Sequence, residues 1–285
     1  MKGRLNAHVV FSDKIDNQTL NDFKAALTVE LVNRPLSDTA LRSLAGIVTA
    51  EKLKAHGFSK SDVDSADATA LKAGSTIAEI NCDSYKEAIA AVPEGMAIGF
   101  MPYDTHDGLA EVDWVEHYAF FIGLAKNSPI FESRNLTMRD ALVGVRTSEN
   151  ERFIDSVQRS LKDLPRLVVA GSDAHRLVGT PGDPDKRGYG DFPSGKITWI
   201  KADPTFLGLQ QAIREPAKRS FIGAKPPKVD EVERNKTFFI DKVEISKIGG
   251  GTTSGDWLAE TELPLSQDLV AIIGNKGSGK SALAD

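Results

Sequence analysis

Apolar residues recur along this chain in two rhythms, short runs with strand character and longer stretches at helical spacing. Residues 5–11, LNAHVVF, read as a strand, and the polar opening of residues 12–32 followed by helical periodicity predicts an N-capped amphipathic helix. Residues 38–57 and 60–73 predict two further helices, with Gly57 as a C-cap between them. YKEAIAAV reads as a short helix, and Met96 to Met101 as a strand running into the loop PYDTHDGLAEVDW. Helical patterns return over 114–126 and 150–163, and Arg166 to Ala170 has the composition of a buried strand. After a Gly/Pro/Asp-rich loop over 179–195, KITWIKA predicts a strand. The next segment predicts a helix with Asp203 as N-cap, Pro204 at its first position and Pro216 beyond its end, and RSFIG closes the region.

Strands alternating with helices predict an α/β domain over 1–223. The proline-bearing, charged stretch 224–236 reads as a linker to a second domain over 237–285. There TFFIDKVEISKI alternates like a strand, GGGTTSGD reads as a turn, and WLAETELPL as another strand. Leu269 to Ile273 is a continuous apolar run of the kind a strand buried on both faces carries.

That last run leads into the most specific chemistry in the chain. Gly274, Gly279, Lys280 and Ser281 stand at the spacing G-x-x-x-x-G-K-[ST]. Glycines at such positions let backbone N–H groups turn inward around phosphates, the lysine reaches the β- and γ-phosphates, and the hydroxyl after it ligates Mg²⁺. The candidate nucleotide site is therefore Gly274, Asn275, Lys276, Gly277, Ser278, Gly279, Lys280 and Ser281, with ATP as ligand and Mg²⁺ held through Ser281. Hydrolysis also needs a later acidic residue for the metal and a group that positions water. The chain is thus expected to be a fragment of a longer ATPase, with weak nucleotide affinity and negligible turnover over residues 1–285.

Composition narrows the classes further. The chain has 285 residues, 41% hydrophobic and 26% charged, with a formal net charge of −5, so no global basic field points to nucleic acid. A single cysteine, Cys82, excludes an internal disulfide and fits a reducing cytoplasm. No long apolar stretch or leader pattern predicts a membrane span or secretion.

A second constellation lies in LVVAGSDAHR, where an apolar strand ends and Asp173 and His175 follow. Alternate residues on an extended segment project the same way, so a carboxylate and an imidazole can meet on one Zn²⁺, Mn²⁺ or Fe ion. A helix N-cap with a surface histidine is the plainer reading of the same residues. His106, between Asp104 and Asp107, has ligand-like surroundings but also suits a solvated loop. His117 beside Tyr118 and Phe120 reads as packing, and His56 as a residue at a helix end.

GSDAH at a strand end, followed by ITWIKADPTFLGLQQAIREPAKR, resembles the last part of PHP domains (polymerase and histidinol phosphatase type). With KGRLNAHVVFSD near the start and LVAIIGNKGSGKSALAD at the end, the chain more closely resembles bacterial proteins that place a PHP-like domain before an SMC/RecF-like AAA-type ATPase. The resemblance implies a partial, distorted (β/α) barrel followed by the first β-elements and P-loop of an ATPase head. It implies metal ligation by His8, Asp173 and His175, with Zn²⁺ or Mn²⁺ in an intact site. The opening H-x-H motif, the Asp-His motif and the glutamate strand of PHP domains have no counterpart here, so the metal set is expected to be incomplete. By the same resemblance the parent protein is a cytoplasmic ATP hydrolase working on nucleic acid in repair or defence against foreign DNA, and a homodimer through its heads. A metal-dependent phosphoesterase and a catalytically inactive interaction platform are the other two expectations.

Overall fold

The structure, a computed structural model, describes residues 4–105, 107–113, 115–172, 174, 176–183, 187–189, 191–192, 196–246 and 260–284. The chain divides into two compact units, Met1–Ala224 and Lys225–Asp285. It is a mixed α/β protein.

In the first unit, β1 (His8–Phe11) leads to α1 (Asn17–Ala26), which Asp16 caps by accepting from the Thr19 N–H at 2.8 Å. The predicted helix over 12–32 ends early because Leu27 turns extended and Thr28–Val29 forms β2, paired with β3 (Arg34–Pro35). The two helices expected over 38–73 are four: α2 (Asp38–Ile47), α3 (Ala50–Ala55), α4 (Lys60–Ser65) and α5 (Asp67–Ile77). They break where Val48 and Ala66 go extended, and the hydroxyls of Thr49 and Ser59 cap fresh starts. Gly57 ends α3 with φ +80°, a conformation natural to glycine. Then come α6 (Cys82–Ala91), β4 (Ala97–Pro102), α7 (Tyr118–Asn127), β5 (Ile130–Glu132), α8 (Leu136–Val143), α9 (Ile154–Ser160) and β6 (Leu167–Val169). The unit closes with β7 (Thr198–Ile200), α10 (Phe206–Arg214), α11 (Pro216–Arg219) and β8 (Ser220–Ile222). The N-cap of α10 is Thr205 rather than Asp203. The Thr205 N–H donates to the Asp203 carbonyl at 2.7 Å, so a tight turn delays the helix, and Pro216 opens a helix of its own.

A four-stranded sheet in the order β1-β4-β5-β6 organises this unit, with β1 antiparallel to β4 and the other two pairings parallel. His8, Phe100, Ile130 and Leu167 form one lateral row, and Pro102, Glu132 and Val169 another. Ile98, Ile130 and Leu167 pack beneath Ala212, Phe206 and Leu209 of α10. The alternate residues Met101, Phe131 and Val168 pack on the other face against Tyr85, Phe121, Leu124, Leu142 and Leu161. This is the alternation that strands buried between helical layers require. Val29 and the four helices α2 to α5 have a core of their own, including Leu44, Leu53 and Ile77. At its centre a Cβ on Gly74 would lie 2.0 Å from the Leu41 carbonyl oxygen, so only glycine lets α2 and α5 meet there.

The stretch read as a linker over 224–236 contains a helix, α12 (Pro227–Arg234). Its Pro226-Pro227 pair starts that helix rather than breaking a chain, since the first turn has no use for its N–H groups. Arg234 pairs with Asp230 at 2.7 Å and Lys228 with Glu231 at 3.1 Å along its surface. Beyond it β9 (Lys242–Ile245) and β10 (Thr261–Pro264) pair antiparallel. GGGTTSGD lies outside the described residues. Leu269 to Ile273 is in no strand; Leu269 is 82% and Ile273 91% exposed. An apolar run becomes a buried strand only beside neighbours that complete its ladder, and among the described residues none pairs with it. The chain ends in α13 (Lys280–Ala284). Among the described residues no helix is long and apolar enough to cross a membrane.

Candidate functional site

The glycine-rich loop lies between the exposed apolar run and α13. Gly277 and Gly279 both adopt φ +84°, left-handed backbone that L side chains resist. A Cβ on Gly274 would sit 2.4 Å from the Ser278 hydroxyl oxygen, so a side chain there would have to turn that hydroxyl away. The Ser278 N–H donates to the Asn275 carbonyl at 3.2 Å, closing the turn. Lys280, first residue of α13, curls back so that its Nζ donates to the carbonyl of Gly274 at 2.6 Å and of Asn275 at 2.9 Å. An ammonium carries three donors, so one remains for an anion. Lys276 is exposed, and Ser281 follows in the first turn of α13 with its side chain exposed. The loop thus gathers two positive charges, Lys276 and Lys280, beside glycines in left-handed backbone, which is the chemistry a phosphate group calls for.

In the first unit the carboxyl ends of the parallel strands are stitched together. The buried Ser133, just past β5, donates through its hydroxyl to the Asp104 carboxylate at 2.8 Å and through its N–H to the Val169 carbonyl at 3.0 Å. The Tyr103 N–H donates to the Glu132 carbonyl at 2.9 Å. Tyr103 stacks on Phe131 at 5.5 Å, and burial, then the Asp104 charge, raises its phenol above the usual range. Thr198 stands in for a neighbouring strand: its hydroxyl accepts from the Ala170 N–H at 2.7 Å and donates to the Ala170 carbonyl at 3.1 Å. Lys196 reaches the Arg134 carbonyl at 3.0 Å.

Leu167 to Ala170 is buried apart from a half-buried Val169, with β6 spanning Leu167–Val169. Asp173, His175 and His106 lie outside the described residues. His8 is exposed on the edge strand β1, its ring 5.3 Å from that of Phe100. Its row places it three strand spacings, about 14 Å along the sheet, from Leu167 of β6. His117 is the N-cap residue of α7 rather than part of the helix, with Nε2 3.7 Å from Glu116. His56 is the C-cap of α3. Among the described residues no group of three or more His, Cys, Asp or Glu side chains gathers to hold a metal ion.

Sequence reasoning missed β5, Ser133 and α8, and with them the Asp104–Ser133 bond. The signals were present: Pro129 ahead of Ile130-Phe131, Asn135 as N-cap of α8, and Gly144 at its end with φ +89°. No protein-family model, curated protein or solved structure matches the chain.

Proposed function

We propose that the second unit carries the phosphate-binding loop of an ATPase, with ATP as ligand and Ser281 as the residue that would hold Mg²⁺. The observation that carries this reading is Lys280 folded over the loop, two donors spent on Gly274 and Asn275 and the third unspent. Bound Mg²⁺ would neutralise charge on the phosphates; the loop's own part is to bind and orient them. The resemblance in sequence extends the proposal to a PHP-like barrel in the first unit and an SMC/RecF-like head in the second. It also extends it to ATP-driven work on nucleic acid by a homodimer. The parallel strands of the first unit, with loops joined at their carboxyl ends, support a site at that end of the sheet.

Titration of the ¹⁵N-labelled chain tests the loop. MgATP and MgADP are expected to shift the amides of Gly277, Gly279 and Lys280, whereas adenosine leaves them in place. Because the run leading into the loop pairs with no strand among the described residues, affinity is expected to be weaker than micromolar. Lys280→Ala should abolish the shifts, and their absence in the unaltered chain at several millimolar MgATP would overturn the proposal.

A further inference from the structure

The outer edge of the sheet belongs to β1, which pairs only with β4 among the described residues. The Ser12 N–H donates to the Met96 carbonyl at 2.9 Å and fixes the phase of this ladder. In an antiparallel pair, hydrogen-bonded positions alternate. His8 and Val10 therefore turn their backbone groups toward β4, while Val9 and Phe11 turn theirs outward. An open edge of this kind is a template for one more strand.

Beside that edge lies a groove of about 700 Å³. Val10 and Phe11 form its near wall, and Ile200, Phe206 and Leu209 contribute apolar surface opposite. Two carboxylates, Asp13 and Asp203, are among its other lining residues. The Asp13 side chain meets only the Ser12 hydroxyl, at 3.4 Å, and neither aspartate has a lysine or arginine partner among the described residues.

We propose that this edge and groove dock an extended basic peptide from a partner protein, which adds to the sheet beside β1. Its backbone pairs with the outward groups of Val9 and Phe11. Alternate side chains, about 6.6–6.8 Å apart along a strand, enter the groove, and its lysines or arginines meet Asp13 and Asp203. Charge decides the occupant. A second copy offering its own β1 brings His8, Val9, Val10 and Phe11, with no lysine or arginine for the two aspartates.

The test is NMR titration of the ¹⁵N-labelled chain with an acetylated, amidated heptapeptide alternating lysine and valine. The largest shifts are expected at the Val9 and Phe11 amides, and a glutamate–valine peptide should bind at least tenfold more weakly. Val9→Pro removes one outward donor while the β4 ladder bonds of His8 and Val10 remain, and should weaken binding about tenfold. Asp203→Lys reverses one groove charge without touching the ladder, so it stands if the proline variant fails to fold; it too should weaken the lysine peptide. Four results would overturn the proposal: no shifts at millimolar peptide, shifts centred elsewhere, equal affinity for both peptides, or concentration-dependent shifts at Val9 and Phe11 without peptide, which mark pairing of two copies.

Discussion

Two segments of this chain look alike as strings and end in opposite states. RLVVAGSDAH and DLVAIIGNKG each bring a run of apolar residues to a glycine that opens a polar loop. The first becomes β6, with Leu167 and Val168 wholly buried between helical layers. The second forms no strand, with Leu269 and Ile273 almost fully exposed. The local pattern is the same, so it does not decide. What decides is the neighbour: β5 offers β6 a parallel ladder over Ile130 to Glu132, and no strand among the described residues does so for Leu269 to Ile273.

Truncating the same residue type in both segments is the sharpest way to break this comparison. Leu167→Ala leaves a cavity in the core and is expected to cost about 2–5 kcal/mol. Leu269→Ala should change stability by no more than about 0.5 kcal/mol. Urea denaturation of both variants measures the difference, and equal losses would mean that the second run is buried in solution.

Alkaline pH sharpens the same contrast from inside the buried layer. Burial pushes the Tyr85 phenol up to about 12, with the nearby Ser128 hydroxyl partly offsetting it. The folded state holds that proton more tightly than the unfolded chain, so the stabilisation is complete below pH 10 and lost as pH rises through 12. A shift of that size corresponds to about 2–3 kcal/mol. Burial acts the other way on Arg166, pushing its guanidinium down to about 10 and relieving its cost as pH rises. Comparing the chain with Tyr85→Phe therefore isolates the tyrosine: the variant should lose less stability between pH 9 and 11. Identical pH profiles would place Tyr85 in solvent.

A smaller effect tests how closely the ladder is packed. A Cβ on Gly99 of β4 would lie 1.8 Å from the Asn127 carbonyl oxygen at the end of α7. Gly99→Ala must push strand and helix apart, at a cost of about 1–3 kcal/mol, again read by urea denaturation. No loss would mean that α7 yields easily and that β4 is less tightly held than β6.

Much of the first unit was legible because its signals are local. Asp16, Ser37, Ser59 and Asn81 cap helices through contacts two or three residues away, and β1, β4 and β6 announce themselves by apolar runs, whereas the cap at Thr49 lay inside a stretch read as one helix. The three-residue β5 was not legible, since a strand that short has no period to detect and exists by pairing on both sides. The Asp104–Ser133 bond, joining residues 29 apart, follows from that pairing and was hidden with it. Helix α12 was misread because Pro-Pro and dense charge mark both linkers and helix starts. The glycine-rich turn over 274–281 was the most legible loop, since its glycine spacing fixes the backbone within a few residues. The strand leading into it was not, because strand formation is a property of pairs.

Ile80 packs against both the sheet core and the separate core of α2 to α5, and it bridges to Val29 of β2. Two hydrophobic nuclei joined at so narrow a neck need not melt as one. Cooperativity here is a matter of connectivity: the helical cluster packs around a core of its own and meets the sheet core at Ile80. A change at Ile80 would then act less on the strength of either core than on whether each learns of the other's unfolding.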